Sequence, residues 1–280
     1  MTTITMADPA PAGRIGRARW ALTDGLTLIG REFGRIRRQP GELIGALIFP
    51  AIMVVLFGYV FGSAIQVPGG GDYREYLMPG LFSMVTFSSV MVITVKVATD
   101  VSQGVMDRFR SMPMARSAVP FGQTAADTLL GGMLGLTIMS LAGLCVGWQP
   151  HRGWWPTVQA FLLLMLLRYA LAWLGCYFGM VVRNEQTADQ LVPLFLPFTM
   201  LSNAFVPTEG MPSWLRTLAD WNPVSAMTAA CRELFGNPGA PADGASWPLA
   251  HPVAATVMWS VVLLVVFVPL TVRTYQRKGR

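Results

Sequence analysis

Six apolar blocks, each long enough to cross a bilayer as a helix, leave this 280-residue chain few alternatives. A helical crossing needs about 20 apolar residues, and hydropathy places such blocks at 43–65, 77–97, 123–148, 157–182, 190–206 and 252–272. In lipid every backbone N–H and C=O must find a partner within the protein, so blocks of this length are expected to be helices. The predicted class is an all-α integral membrane protein with six transmembrane helices. Charged residues make up 13% of the chain, against about 25% in soluble domains.

Basic residues set the expected orientation. Of the 21 Lys and Arg, sixteen fall before the first block, at 96–116, at Arg183 and at the C-terminus, whereas Arg74, Arg152, Arg216 and Arg232 fall on the opposite side and Arg168 falls inside a block. This bias puts both termini in the cytoplasm and the chain in the cell membrane as a multi-pass protein. The net charge of +6 sits at span ends, so no nucleic-acid partner is expected. Arginine outnumbers lysine 19 to 2, a skew that points to a GC-rich, actinobacterial genome.

Ahead of the first block, residues 1–16 read as a disordered tail. Over 17–39, Leu22, Leu26, Ile29, Phe33 and Ile36 step by four and three, with Arg31, Arg35 and Arg38 elsewhere around the helix. That pattern predicts a helix lying flat in the cytoplasmic interface. Residues 40–280 then form one transmembrane domain. Glycine pairs four apart, Gly41/Gly45, Gly58/Gly62 and Gly131/Gly135, are expected to let helices approach closely within a bundle or a dimer. Trp148, Trp154 and Trp155 are expected to form an aromatic belt. Cys145 and Cys176 are expected to be small packing residues inside spans.

The fifth block is anomalous. Residues 191–222 read LVPLFLPFTMLSNAFVPTEGMPSWLRTLADWN, with Pro193, Pro197, Pro207 and Pro212. Pro193 and Pro197 are expected to kink a short helix. Residues 211–235 are expected to be helical material folded back into the outer leaflet, with Trp214, Leu215, Leu218 and Trp221 on one apolar face.

Two ionisable residues fall inside blocks. Arg168 lies near the middle of the fourth, and Asp127 lies about one turn from the inner end of the third. The expectation is therefore different depths and no direct pair. Arg168 is either a structural arginine bonded to carbonyls and hydroxyls or a cavity or interface residue. Asp127 is either a capping or snorkelling group or a proton carrier. Three cysteines without C-x-x-C spacing, and His151 and His251 far apart, imply no disulfide framework and no metal site. There is no G-x-x-x-x-G-K-[ST] phosphate loop and no catalytic constellation. The chain is expected to be no enzyme by itself and to draw energy from a partner or an ion gradient.

Between the second and third blocks, 99–120 reads TDVSQGVMDRFRSMPMARSAVP. Arg108, Arg110 and Arg116 interleave with Val105, Met106, Phe109, Met112 and Met114, and Lys96 precedes them. This is either an ordinary basic cytoplasmic loop or a short helix that docks in the groove of a soluble partner.

These features together resemble the membrane subunits of type-two ATP-binding-cassette exporters, within them the daunorubicin/doxorubicin-resistance permease group. The resemblance runs from Leu22 to the end of the last block. It is carried by the basic helix before the first block, by GVMDRFRSMPMARSAVPFGQ at 104–123, and by LVPLF…NAFVPTEGMPSWLRTLADWNPVSAMTAACREL at 191–234. Asp100 stands where many members carry Glu in an E-x-x-x-G pattern, and carboxylate character is kept. The resemblance implies a dimer, with itself or a sister permease, served by two copies of a separate ATPase that binds the ATP and magnesium; the chain itself holds no cofactor. Asp100, Gly104, Asp107, Arg108, Phe109, Arg110, Met112, Pro113 and Arg116 would then belong to the ATPase-coupling helix, and Arg31, Phe33 and Arg35 to the connecting helix. Pro193, Pro197, Pro207, Trp214, Trp221, Asn222 and Pro223 would belong to the outer re-entrant gate. An amphipathic substrate, a drug, polyketide or lipid-like product, would pass along the dimer seam by Met53, Phe57, Phe82, Phe87, Phe195, Phe198 and Met200. Two rivals are a secondary drug/proton antiporter, which would need a buried carboxylate, and a membrane scaffold or immunity subunit that transports nothing.

Overall fold

The computed structural model describes residues 48, 52, 54–56, 70–106, 118–182, 184–205, 208–239 and 244–277. The helix expected at 17–39, with Arg31, Phe33 and Arg35, lies outside the described residues, as does all but five positions of the first predicted crossing. Among the described residues every regular element is helical. They are α1 (Tyr73–Ser102), α2 (Ala118–Ala126), a π-helical turn (Asp127–Gly132), α3 (Met133–Val146), α4 (Trp154–Val182), α5 (Glu185–Met200), α6 (Ser213–Asp220), α7 (Pro223–Phe235), α8 (Trp247–Ala250) and α9 (Pro252–Arg277).

Among the described residues four helices are long and apolar enough to cross a membrane: Tyr73–Ser102, Val119–Val146, which unites α2, the π turn and α3, Trp154–Val182 and Pro252–Arg277. The all-α membrane class expected from the sequence therefore stands. Local chemistry sets the helix ends. The Asp72 carboxylate accepts from the Arg74 N–H at 2.9 Å, with Glu75 in the first turn beside the positive end of the dipole. Gly147 and Gly236 close α3 and α7 at φ of 99° and 75°, values that a Cβ disfavours.

The bundle is built around the α1–α4 seam. Gly175 and Gly179, a pair absent from those picked out by sequence, face α1. A Cβ on either would stand 2.6 Å from the carbonyl oxygen of Val90 or of Thr94. Thr94 Oγ1 donates to the Val90 and Gly175 carbonyls at 2.6 and 3.2 Å. Small residues thus bring two backbones together, which is how apolar helices associate where no hydrophobic effect separates them from lipid. The named glycine Gly135 instead makes room for the Val85 side chain of α1.

At one end of the bundle Phe82, Trp148, Phe161 and Phe235 pack in edge-on and tilted pairs, with centroids 5.1–5.7 Å apart. Trp148 is 2% exposed and donates through Nε1 to Asn237 Oδ1 at 2.8 Å, so it is a core residue and not part of an aromatic belt. Trp154 and Trp155 are exposed, at 75% and 55%. The loop after α3 also clasps α7: the His151 and Arg152 N–H groups donate to the Phe235 carbonyl, and His151 Nε2 lies 2.8 Å from Glu75 Oε1. At the other end Val97, Met106, Val119, Met180 and Tyr275 form a smaller core. Cys176 packs there, whereas Cys145 is exposed on the outer surface of α3 and does not pack.

Replacing Gly179 by Leu should drive a side chain into the Thr94 carbonyl and cost about 1–3 kcal/mol by overpacking. The thermal midpoint of the detergent-purified protein should fall accordingly, while the same change at the open Gly210 should move it little.

Candidate functional site: a broken fifth helix and two buried arginines

The helix α5 stops at Met200, earlier than the 206 expected, and carries Pro193 and Pro197 inside it. At 16 residues it is too short to cross alone. A helix ending at that depth leaves carbonyls without partners, each costly in a dry environment. Side chains supply some of them, Ser202 Oγ donating to the Thr199 carbonyl at 2.6 Å. Asn222 Nδ2 donates to the Phe198 and Leu201 carbonyls at 2.6 and 2.7 Å, and Asn222 Oδ1 accepts from the Val224 N–H at 2.8 Å. One amide therefore caps the C-terminus of α5 and the N-terminus of α7, where Pro223 occupies the first helical position.

Arg232 holds the turn that follows α5. Its Nη2 donates to the Asn203, Ala204 and Tyr76 carbonyls at 2.9, 3.3 and 3.1 Å, its Nε donates to the Tyr76 carbonyl, and its guanidinium lies 3.6 Å from the centre of the Tyr76 ring. The Tyr76 and Tyr73 hydroxyls donate to the Asn203 and Phe205 carbonyls. Gly80 leaves no room for a side chain against the Ala204 carbonyl. The turn at 201–205 is thereby tied to the start of α1. Burial pushes the Arg232 pKa down from its ordinary value, and Tyr76 opposes that shift. Arg232 was counted by sequence among outer-side loop residues, yet it is 2% exposed. Its pattern in ACREL reads as a solvated helix face; the run of small residues Ser225, Ala226, Thr228, Ala229 and Ala230, all buried, was the available signal.

The helix α6 turns its apolar side outward. Trp214, Leu218 and Trp221 are 66%, 56% and 46% exposed, whereas Asp220 faces inward, accepting from Thr208 Oγ1 at 2.9 Å with Arg216 Nε 3.8 Å away. An apolar face outward and polar groups inward is the sense of a surface that meets lipid. Pro207 lies outside the described residues.

Asp127 and Arg168 meet directly, against the expectation of different depths. Arg168 Nη2 lies 3.0 and 2.9 Å from the two Asp127 carboxylate oxygens, Nη1 donates to the Val85 carbonyl at 2.9 Å, and Ser89 Oγ donates to Asp127 Oδ2 at 2.9 Å. The reason is that the third crossing begins at Ala118, five residues before the predicted start at 123. That places Asp127 about 13 Å into the helix at 1.5 Å per residue, within reach of a long arginine side chain.

Of the coupling residues, Asp100 and Gly104 are described and Asp107, Arg108, Phe109, Arg110, Met112, Pro113 and Arg116 are not. Asp100 accepts from Gln123 Nε2 of α2 at 2.5 Å, and Gly104 turns the chain at φ of 67°. The α1 and α2 helices are thus joined at the feet of the 107–117 segment. Of the substrate-path residues, Met53 and Phe57 lie outside the described residues. Phe82 and Phe87 are 0% and 6% exposed, filled in by their own chain, so they line no open seam. Phe195 packs on Phe178, while Phe198 and Met200 stand exposed on α5.

The architecture is that of a multi-pass helical membrane protein. A family profile for ABC-2 type transporters matches residues 24–235. The chain is similar to the daunorubicin resistance ABC transporter permease protein DrrB1 of Streptomyces coeruleorubidus, at 30% identity over 92% of this chain and 88% of the relative. It is similar also to the doxorubicin resistance ABC transporter permease protein DrrB of Mycobacterium tuberculosis, at 28% identity over 89% and 86%. The putative transport permease ycf38 of Porphyra purpurea matches at 25% over 75% and 73%. The chain belongs to the ABC-2 type transporter family of membrane permeases.

Replacing Arg232 by Met should strand buried carbonyls of the 201–204 turn and of Tyr76 and cost about 2–4 kcal/mol. Thermal unfolding of the purified protein should show this as a clear loss, whereas Arg216→Ala, which breaks a half-exposed pair, should cost about 0–1 kcal/mol.

Proposed function

We propose that this chain is the permease half of an ATP-driven exporter that moves a hydrophobic or amphipathic compound (a drug, polyketide or lipid-like product) out of the cell. Two permease chains, identical or sister, pair in the cell membrane with both termini cytoplasmic, and two copies of a separate ATPase bind the ATP and magnesium. The observation that carries this reading is similarity along nearly the whole chain to permeases named for daunorubicin and doxorubicin resistance.

The geometry supports a route for the work. Residues 104–116 would seat in the ATPase, with Asp100 and Gln123 bracing their feet. The helix α1 runs from that brace to Tyr76, whose carbonyl Arg232 grips, a span of 24 residues or about 36 Å. A push at one end would reach the capped break after α5 through a single rigid rod. The buried carboxylates also argue against the antiporter. Asp127 is engaged by Arg168 and Ser89, and Asp220 by Thr208 and Arg216, so each already serves a structural contact.

Affinity purification of the tagged chain in mild detergent should bring an ATPase with it, and the double change Arg108→Glu/Arg110→Glu should remove that ATPase while the chain remains inserted. Copurification unaffected by the reversal would overturn the docking assignment. Replacing Pro193 and Pro197 together by Ala should abolish drug efflux with ATPase binding retained; efflux at the unaltered rate would overturn the assignment of these prolines to the gate.

A further inference from the structure

The π-helical turn Asp127–Gly132 is the one irregularity inside an otherwise continuous crossing, and its sequence, DTLLGG, is unfavourable for a helix interior. Two consecutive glycines are poor helix formers, and π turns are rare inside α-helices. Both glycines face Arg168. A Cβ on Gly132 would stand 2.8 Å from Arg168 Cδ and 2.9 Å from Met165 Sδ, and one on Gly131 would stand 3.0 Å from Arg168 Nη2. The arginine fills the space that those missing side chains leave. Its Nε donates to the carbonyl of Asp127, the first residue of the turn, at 3.4 Å, and its Nη2 holds the same residue's carboxylate. Its Nη1 donates to the Val85 carbonyl of α1, and Ser89 on that helix donates to Asp127. One guanidinium thus ties the turn to α1 and α4 at once.

We propose that Arg168 is a positioning residue: it wedges the π turn open and so sets the angular position of α2, the helix that leaves the segment assigned above to ATPase docking. The consequence for docking rests on that assignment; the wedge does not. An α-helix advances about 100° per residue, so taking up the surplus residue of the turn would swing α2 by about that angle relative to α3. Gln123 would leave Asp100, and the residue before or after it would face α1 instead. The Asp100–Gln123 bond is therefore a reporter of the wedge.

The test is disulfide mapping in the full chain. In a Cys145→Ser/Cys176→Ala background, with Cys231 buried, Asp100→Cys is combined in turn with Gly122→Cys, Gln123→Cys and Thr124→Cys. Oxidation is followed by mass spectrometry of the linked peptides. With Arg168 present the link should be strongest at 123. With Arg168→Gln the preference for 123 over its better neighbour should fall about tenfold or more, the shift expected when a buried charged hydrogen bond leaves one side of a two-state equilibrium, and the maximum should move to 122 or 124. A bundle merely loosened would lower all three links together and keep the maximum at 123, and that result overturns the proposal. If the single variant fails to insert, Asp127→Asn/Arg168→Gln removes both charges together and is read the same way. Because the link lies within this chain, it can fail while the exporter assignment stands and hold where no ATPase is captured.

Discussion

A helix that ends inside a bilayer must hand its last carbonyls to something, and the rest of this structure follows from how that is done. The helix α5 stops at Met200, and water is not at hand to complete its hydrogen bonds. Asn222 and Arg232 take the carbonyls of Phe198, Leu201, Asn203 and Ala204 between them. Both donors sit at the N-cap or on the body of α7, so that helix has to fold back beneath the break. The position of α7 in turn brings Phe235 against Trp148 and Phe82, and its last carbonyl to the loop at 151–152. The amphipathic α6 is what remains between the break and α7, and its polar side turns inward because Thr208 and Asp220 bond there.

The two buried arginines solve one problem in different ways. Moving a guanidinium out of water is costly unless its donors are met. Arg168 has a carboxylate, and losing either partner would strand a charge. Arg232 has no carboxylate within salt-bridge distance among the described residues and is held by carbonyl dipoles and by the face of Tyr76. Its carbonyl partners at 203 and 204 lie in the turn beyond α5, where no helical N–H meets them, so carbonyl dipoles take its donors in place of a counter-ion. The arrangement at Arg232 fixes where the chain turns; the one at Arg168 fixes how α2 is rotated.

Helix content and the approximate places of four of the six expected crossings were legible, as the described residues show, because they depend on composition over about 20 residues, which no single contact can overturn. The break after the fifth block was legible for the same kind of reason, since prolines act locally. What escaped was whatever depends on two distant residues meeting. The Asp127–Arg168 pair was missed because the depth of Asp127 hangs on a helix start five residues earlier than hydropathy placed it, and apolar scales are blind to that. Arg232 was missed because an arginine beside a glutamate in a short amphipathic helix looks solvated. Gly175 and Gly179, four apart like the pairs that were named, show that such spacing finds candidates without telling which face another helix. Phe82 and Trp148 show the same limit for aromatics.

The polar contacts also divide the bundle into parts that must move together and parts that need not. The α1 helix is bonded at its start to the 201–205 turn and α7, at its middle to Asp127 and Arg168, and at its foot to Gln123. A hydrogen bond buried in hydrocarbon has no water to exchange with, so sliding α1 past any of these neighbours would leave donors and acceptors bare along the way. The close Gly175 and Gly179 contacts oppose the same sliding sterically. By contrast the outer faces of α5 and α9 present Leu194, Phe198, Val261 and Val265 to their surroundings with no polar lock. Motion in this fold is therefore least costly as a rigid swing of the α1–α4 unit against α5. The capped break after Met200 lies where those two parts meet.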